Sequence, residues 1–181
     1  MPADQGPVTT CSLDVSCPRK DLVADWRRCG LSADYMAAFL ARHLPDRFDA
    51  EIALSTIINE LLECTVKFSL QRDQVVSLHA TWADGRIRVE TTQWSSAAQV
   101  RMLRGWLARL SSGDPEAVWL AHLEESARDR AHPSGLGLVA LVKDYDAQLT
   151  LDVDEGMDPA TNTAIFRVTL RALIPEERFV T

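Results

Sequence analysis

Residues 59–69 read Asn59-Glu60-Leu61-Leu62-Glu63-Cys64-Thr65-Val66-Lys67-Phe68-Ser69. On a helix, Glu60 and Cys64 lie four apart and share a face, while Asn59 and Glu63 share the neighbouring one. The plain reading is a solvated face with a Glu63–Lys67 ion pair worth about 0.2–0.5 kcal/mol. Cys64 also raises thiol chemistry, because Lys67 nearby would lower its pKa and redox-sensing cysteines are low-pKa thiols; the plain alternative is a partly buried, inert cysteine. A second segment, Ser134-Gly135-Leu136-Gly137-Leu138, opens a helix. Its glycines permit close backbone approach, and the unpaired N–H groups of a helix start suit an anion such as phosphate. The plain reading is a flexible helix entry. Gly135-x-Gly137-x-x-Ala140, with Asp152 and Asp154 beyond it, formally matches the dinucleotide-binding fingerprint. That motif needs a buried strand directly before it, and residues 124–133 are charged and helical in character.

The elements that must position these residues follow from periodicity. Ser32 reads as an N-cap, with Asp34 in the first turn, for a helix over 33–44 that stops before Pro45. Asp49 reads as the cap of a longer helix over 50–69, in which Leu54, Ile57, Ile58, Leu61 and Leu62 form one apolar face. The period then falls to two. Strands over 74–82 and 86–93 flank Asp84-Gly85, a hairpin dipeptide. Ser96 caps a helix over 97–110, and Asp114 with Pro115 starts another that reaches about residue 130. Residues 124–133 are the best candidate for a mobile loop or lid. A helix over 136–145 and strands over 147–153 and 163–174 complete the chain. Residues 1–20, with Pro2, Pro7 and Pro18, read as an irregular segment with a short strand over 11–15, and residues 21–181 as a single domain. Helices and strand pairs in this order do not alternate as βαβ units. The expected fold is therefore α+β: a two-layer sandwich of a mixed, mostly antiparallel sheet with helices on one face.

Composition removes several function classes. At 46% hydrophobic, the 181-residue chain is too apolar for general disorder. Its 19 basic and 26 acidic residues give a net charge of −7, which argues against a nucleic-acid partner. No run approaches the ~18 apolar residues of a membrane span. Residues 1–10 lack the apolar core of an export signal, so a cytoplasmic location is expected. Cys11, Cys17, Cys29 and Cys64 show no CxxC spacing, and His43, His79, His122 and His132 form no HxxxH or HExxH pattern. Free thiols in a reducing compartment follow, rather than a zinc site. Trp82, Trp94, Trp106 and Trp119 read as core or edge anchors, and His79 as structural.

Taken in order, these segments resemble the Bergerat (GHKL) ATP-binding fold of histidine kinases, anti-sigma serine kinases and gyrase. Glu60-Leu61-Leu62, followed by Val66-Lys67-Phe68-Ser69, is similar to that family's N-box, and Ser134 to Leu138 to its second glycine box. The closer resemblance is to SiaB-type bacterial regulators. It rests on Trp26-Arg27-Arg28-Cys29-Gly30-Leu31-Ser32-Ala33-Asp34, Asn59-Glu60-Leu61-Leu62, Trp94-Ser95-Ser96, Gly135-Leu136-Gly137-Leu138 and Lys143-Asp144-Tyr145, across roughly residues 20–173.

The resemblance implies a histidine kinase-like ATPase fold that binds ATP or ADP. Glu60 would be the catalytic base, Asn59, Glu63, Cys64 and Lys67 would lie at the nucleotide, and Ser134, Gly135, Leu136, Gly137 and Leu138 would cradle its phosphates. It also implies a small STAS-like antagonist as protein partner, a PP2C-type phosphatase in the same pathway, and an association that can include a homodimer. Two departures matter. Where the family places an Asn that binds Mg²⁺, this chain has Cys64, and a thiol is a poor ligand for a hard cation, so loss of the Mg²⁺ site is expected. Where the family's first glycine box reads adenine, this chain has Thr91-Thr92-Gln93-Trp94-Ser95-Ser96. Phosphoryl transfer depends on positioning and on charge neutralisation by metal. The expected function is thus a bacterial signalling regulator with a degenerate ATP-binding domain and little or no kinase activity. The alternative is an active ATP-dependent protein serine kinase.

Overall fold

A computed structural model describes residues 11–70, 73–114, 116–121 and 136–179. Five strands, β1 (Cys11–Pro18), β2 (Val75–Ala83), β3 (Arg86–Ser95), β4 (Gln148–Met157) and β5 (Ala164–Pro175), form one sheet in the order β1-β2-β3-β5-β4. Every neighbouring pair is antiparallel, so the sheet expected to be mixed is wholly antiparallel among the described residues. Asp84 (φ 53°) and Gly85 (φ 68°) link β2 to β3 in the left-handed conformations that a type I′ hairpin requires. β1 runs through Pro18 and pairs with β2 along its length, so residues 11–18 belong to the sheet and not to an irregular segment.

Helices α1 (Arg19–Ala24), α2 (Arg27–Leu40), α3 (Arg47–Phe68), α4 (Ala97–Ser112) and α5 (Leu136–Tyr145) cover one face; residues 116–121 are also helical. Val76, Leu78, Ala80, Ile87, Val89, Val168, Leu170, Ala172 and Ile174 alternate toward these helices and are buried. The fold is therefore the α+β two-layer sandwich that the pattern implied. On the other sheet face, polar pairs stitch the strands: Asp14 to His79 at 2.7 Å, Thr92 to Thr169 at 3.1 Å, and Arg171 to both Glu90 and Asp152.

Two helix starts differ from the sequence reading. α2 begins at Arg27 and runs through Gly30 and Ser32, so Ser32 is interior and not a cap. Its buried stripe of Cys29, Ala33, Met36, Ala37 and Leu40 extends the helix, and the Asp25 carboxylate accepts the Arg27 N–H at 3.2 Å. α3 is capped by Asp46, which accepts from the Asp49 N–H at 3.4 Å, so Asp49 lies in the first turn. Ser96 and Gln99 form the reciprocal capping box of α4. Asp114 accepts the Glu116 N–H at 3.1 Å, in keeping with a cap there. Residues 116–121 of that expected helix are helical; Pro115, the part beyond residue 121 and the 124–133 loop lie outside the described residues.

Candidate functional site

Helix α3 is long because its apolar face is continuous. Leu54, Ile57, Ile58 and Leu61 are fully buried, each worth roughly 1.5–3 kcal/mol. Its second half sits on β3. The Thr65 hydroxyl donates to the Leu61 carbonyl and meets Thr91 Oγ1 at 2.6 Å, and Ser95 donates to the Phe68 carbonyl at 2.7 Å. The lining of β3 changes with it. Ile87 and Val89 give way to buried Thr91, Gln93 and Ser95, so the floor beneath this half of α3 is polar. Gln93 is only 2% exposed, and its Oε1 has no hydrogen-bond partner among the described residues. In the sequence, Gln93 stands only within the segment found in place of the first glycine box. The signal that marks it is its inward place in the strand alternation.

The face of α3 toward α5 carries the chemistry-bearing residues. A Cβ built on Gly137 would overlap the Glu60 carboxylate, lying 2.9 Å from its Cδ and 3.3 Å from its Cβ. Only a glycine lets the first turn of α5 come this close. Glu60 is half-buried, and burial raises its pKa; Glu63 adds to the rise and Lys67 partly offsets it. Both Glu63 oxygens are engaged, Oε1 by Asn59 Nδ2 and Oε2 by Lys67 Nζ, each at 3.0 Å. The anticipated Glu63–Lys67 pair is therefore present.

Cys64 departs from one expectation. Its residue surface is 7% exposed, and burial pushes the thiol up to about 12 against the lowering pull of Lys67. A low-pKa redox thiol is not what this position supplies. Desolvation outweighs a cation that is already paired with Glu63.

The residues of the two sequence segments thus meet, Glu60 against Gly137. Asn59, Glu63, Cys64 and Lys67 share this side of α3. Leu136 is partly exposed at the start of α5, and Leu138 is buried in the core. Ser134 and Gly135 lie outside the described residues. The donor set does not suit Mg²⁺. Cys64 stays a protonated thiol, both Glu63 oxygens already accept a hydrogen bond within α3, and the Glu60 carboxyl is packed against backbone. A cavity of about 440 Å³ opens separately, between α4, residues 113–121 and α5, with Trp106, Arg109, Asp114, Val118 and Val139 in its wall.

The tryptophans serve as anchors. Trp82 stacks on His43 at 5.6 Å and donates to Glu176 at 3.0 Å, Trp106 meets Phe68 edge-on at 5.0 Å, and Trp119 lies under the Lys143 ammonium. All four cysteines are free. No helix among the described residues is long and apolar enough to cross a membrane.

No protein-family model matches the chain, and no curated protein matches it in sequence. Among solved structures, it is similar to a chain in the crystal structure of the SiaB–SiaC complex from Pseudomonas aeruginosa. The TM-score is 0.63 at 15% identity, over 90% of this chain and 89% of that one. The fold is similar to that of SiaB. At this identity the likeness is one of architecture.

Proposed function

We propose that the protein is a signalling regulator that acts by binding a small STAS-like partner, on a histidine kinase-like ATPase scaffold whose phosphoryl-transfer site has degenerated. The observation that carries this reading is the state of the Glu60–Gly137 seam. A carboxyl group is held against the first turn of a helix, as a nucleotide site would need, while the neighbouring position holds a buried thiol with a pKa of about 12. Such a thiol offers Mg²⁺ no oxygen ligand, and phosphoryl transfer depends on that metal more than nucleotide binding does. The SiaB-like fold supports a role in partner binding. A PP2C-type phosphatase acting on the same partner fits such a switch.

ATP or ADP remains a ligand in this reading. The residues available to it are Lys67 and the backbone N–H groups opening α5. The kinase alternative draws support from one feature: burial raises the Glu60 pKa, which makes its carboxylate a better proton acceptor.

Calorimetry with ATP and ADP, in Mg²⁺ and again in EDTA, tests the reading, alongside transfer of labelled phosphate to an STAS-domain protein. Binding that is the same in both buffers, without transfer, is expected. Cys64→Asn, which restores an amide oxygen, should make binding tighten with Mg²⁺. Robust Mg²⁺-dependent transfer by the native chain would overturn the degenerate reading and favour the kinase. Absence of nucleotide binding in every buffer would leave a partner-binding scaffold alone.

A further inference from the structure

The sheet face that turns away from the helices carries a hollow lined by none of the site residues described above. On β3, Arg86 and Arg88 alternate with buried Ile87 and Val89, so both point outward and leave the strand about 7 Å apart. Arg88 is flanked by Thr81 of β2 and Leu173 of β5, and Arg86 stands opposite Ala83. With Asp84 of the hairpin turn, these residues line a hollow of about 550 Å³. Neither arginine side chain forms a hydrogen bond or ion pair among the described residues, and the Thr81 hydroxyl has no partner there either. Carboxylates nearby on this face are already engaged. Arg171 holds Glu90, two residues from Arg88, together with Asp152, and His79 holds Asp14. Asp84 contributes a carboxylate to the rim without pairing with either arginine. In a chain of net charge −7, two guanidinium groups thus border one concave spot with no counter-charge bound to them.

We propose that this hollow binds the phosphate monoester group of a small organic molecule between Arg86 and Arg88. A carboxylate fills the fork of one guanidinium, whereas the three free oxygens and near-double charge of a phosphomonoester suit two. The Thr81 hydroxyl adds a further donor beside Arg88. The hollow is larger than an inorganic anion needs, and Ala83 and Leu173 give the remaining space an apolar lining for the organic part of the ester. Asp84 limits what that part can carry. A second anionic group would meet its carboxylate, so the organic part is uncharged or cationic. The sheet itself separates this hollow from the Glu60–Gly137 seam, which lies among the helices on the other face. The site therefore stands apart from the nucleotide reading of that seam.

Titration of the isotope-labelled full chain with phenyl phosphate, followed through its amide chemical shifts, tests the proposal. Saturable shifts are expected at residues 81–88 and at Leu173, with a Kd of about 1 mM or tighter that weakens as salt is added. Arg86→Gln and Arg88→Gln should each weaken binding about tenfold, the cost of one charge-assisted contact, with an unchanged far-UV circular dichroism spectrum. Asp84→Asn suits the positive φ of that position and removes the rim charge, so it should tighten binding about threefold. Inorganic phosphate and phenylacetate should each bind about tenfold more weakly than phenyl phosphate. No shift at about 10 mM phenyl phosphate overturns the proposal. Shifts confined to the start of α5, or binding that both arginine substitutions leave unchanged, overturn it by placing the phosphate elsewhere on the chain. Phenylacetate that binds as tightly as phenyl phosphate overturns the choice of phosphate, and inorganic phosphate that does so overturns the organic part.

Discussion

The two ends of helix α3 break the rule of polar outside and apolar inside in opposite directions. At its start, Phe48 and Ile52 face water. At its end, Glu60 is half-buried and the Cys64 thiol is enclosed, over a sheet floor of Thr91, Gln93 and Ser95. Between them the helix is conventional, with Leu54, Ile57 and Ile58 in the core. Folding alone rewards neither exception. Exposed apolar groups gain nothing from the folded state, and a partly desolvated carboxyl weakens it. One helix thus carries two surfaces that folding stability alone does not account for.

The seam end should be the costlier to disturb, and Gly137 is where the difference is sharpest. Gly137→Val should destabilise the protein by about 2–3 kcal/mol, an overpacking cost. The Glu60 carboxylate can swing aside, but its Cβ, 3.3 Å from the added carbon, is fixed to the backbone of α3. Gly137→Ala separates the two contributions. It gains up to about 1 kcal/mol of helix propensity and loses it to the Glu60 side chain, so in a Glu60→Ala background, where only the Cβ contact at 3.3 Å remains, the same change should be less costly than in the native chain. Urea denaturation of the four chains of that cycle measures the coupling. Additive effects would mean that the seam is looser than the contact implies.

Much of the frame was legible in the sequence because it is set by local rules. Asp84-Gly85 specified its turn, Ser96 specified the start of α4, and the residues 136–145 read as a helix are α5. Where tertiary burial decides, the local signal misled. Ser32 looks like a cap, yet the buried stripe from Cys29 to Leu40 carries α2 straight through it. The Glu63–Lys67 pair was legible because both partners stand on one helix. The Cys64 environment was not. A nearby lysine suggests a lowered pKa, and only the packing around the thiol reverses that sign. The approach of Gly137 to Glu60 joins distant parts of the chain, and periodicity carries no information about it. The exposure at the start of α3 was equally hidden, since Phe48 and Ile52 look like ordinary helix-face hydrophobics until their surroundings are known.

A smaller effect at the seam has a defined pH signature. The Glu60 pKa is raised in the folded chain, so its contribution to stability is full below the ordinary value of 4.5 and is lost as pH rises through the folded value. Glu60→Gln removes that loss. The variant should be more stable than the native chain at pH 7, by less than about 1 kcal/mol because solvent screens a half-exposed carboxyl, and the gap should close below pH 4.5. Thermal midpoints across that range supply the curve. A gap that persists in acid would trace to side-chain packing and not to charge.

The start of α3 should show the smallest change of all, and that smallness is informative. Phe48→Ser and Ile52→Ser exchange residues of similar helix propensity at exposed positions, so each should shift folding stability by no more than about 0.5 kcal/mol. The measurement belongs at concentrations too low for copies to associate, because linkage to a dimer would otherwise add to the native chain's apparent stability. A loss of about 2 kcal/mol in that dilute regime would mean that these side chains pack within their own chain. The contrast between the two ends of α3 would then collapse. A negligible change, beside a large one at Gly137, would keep the two ends of α3 distinct.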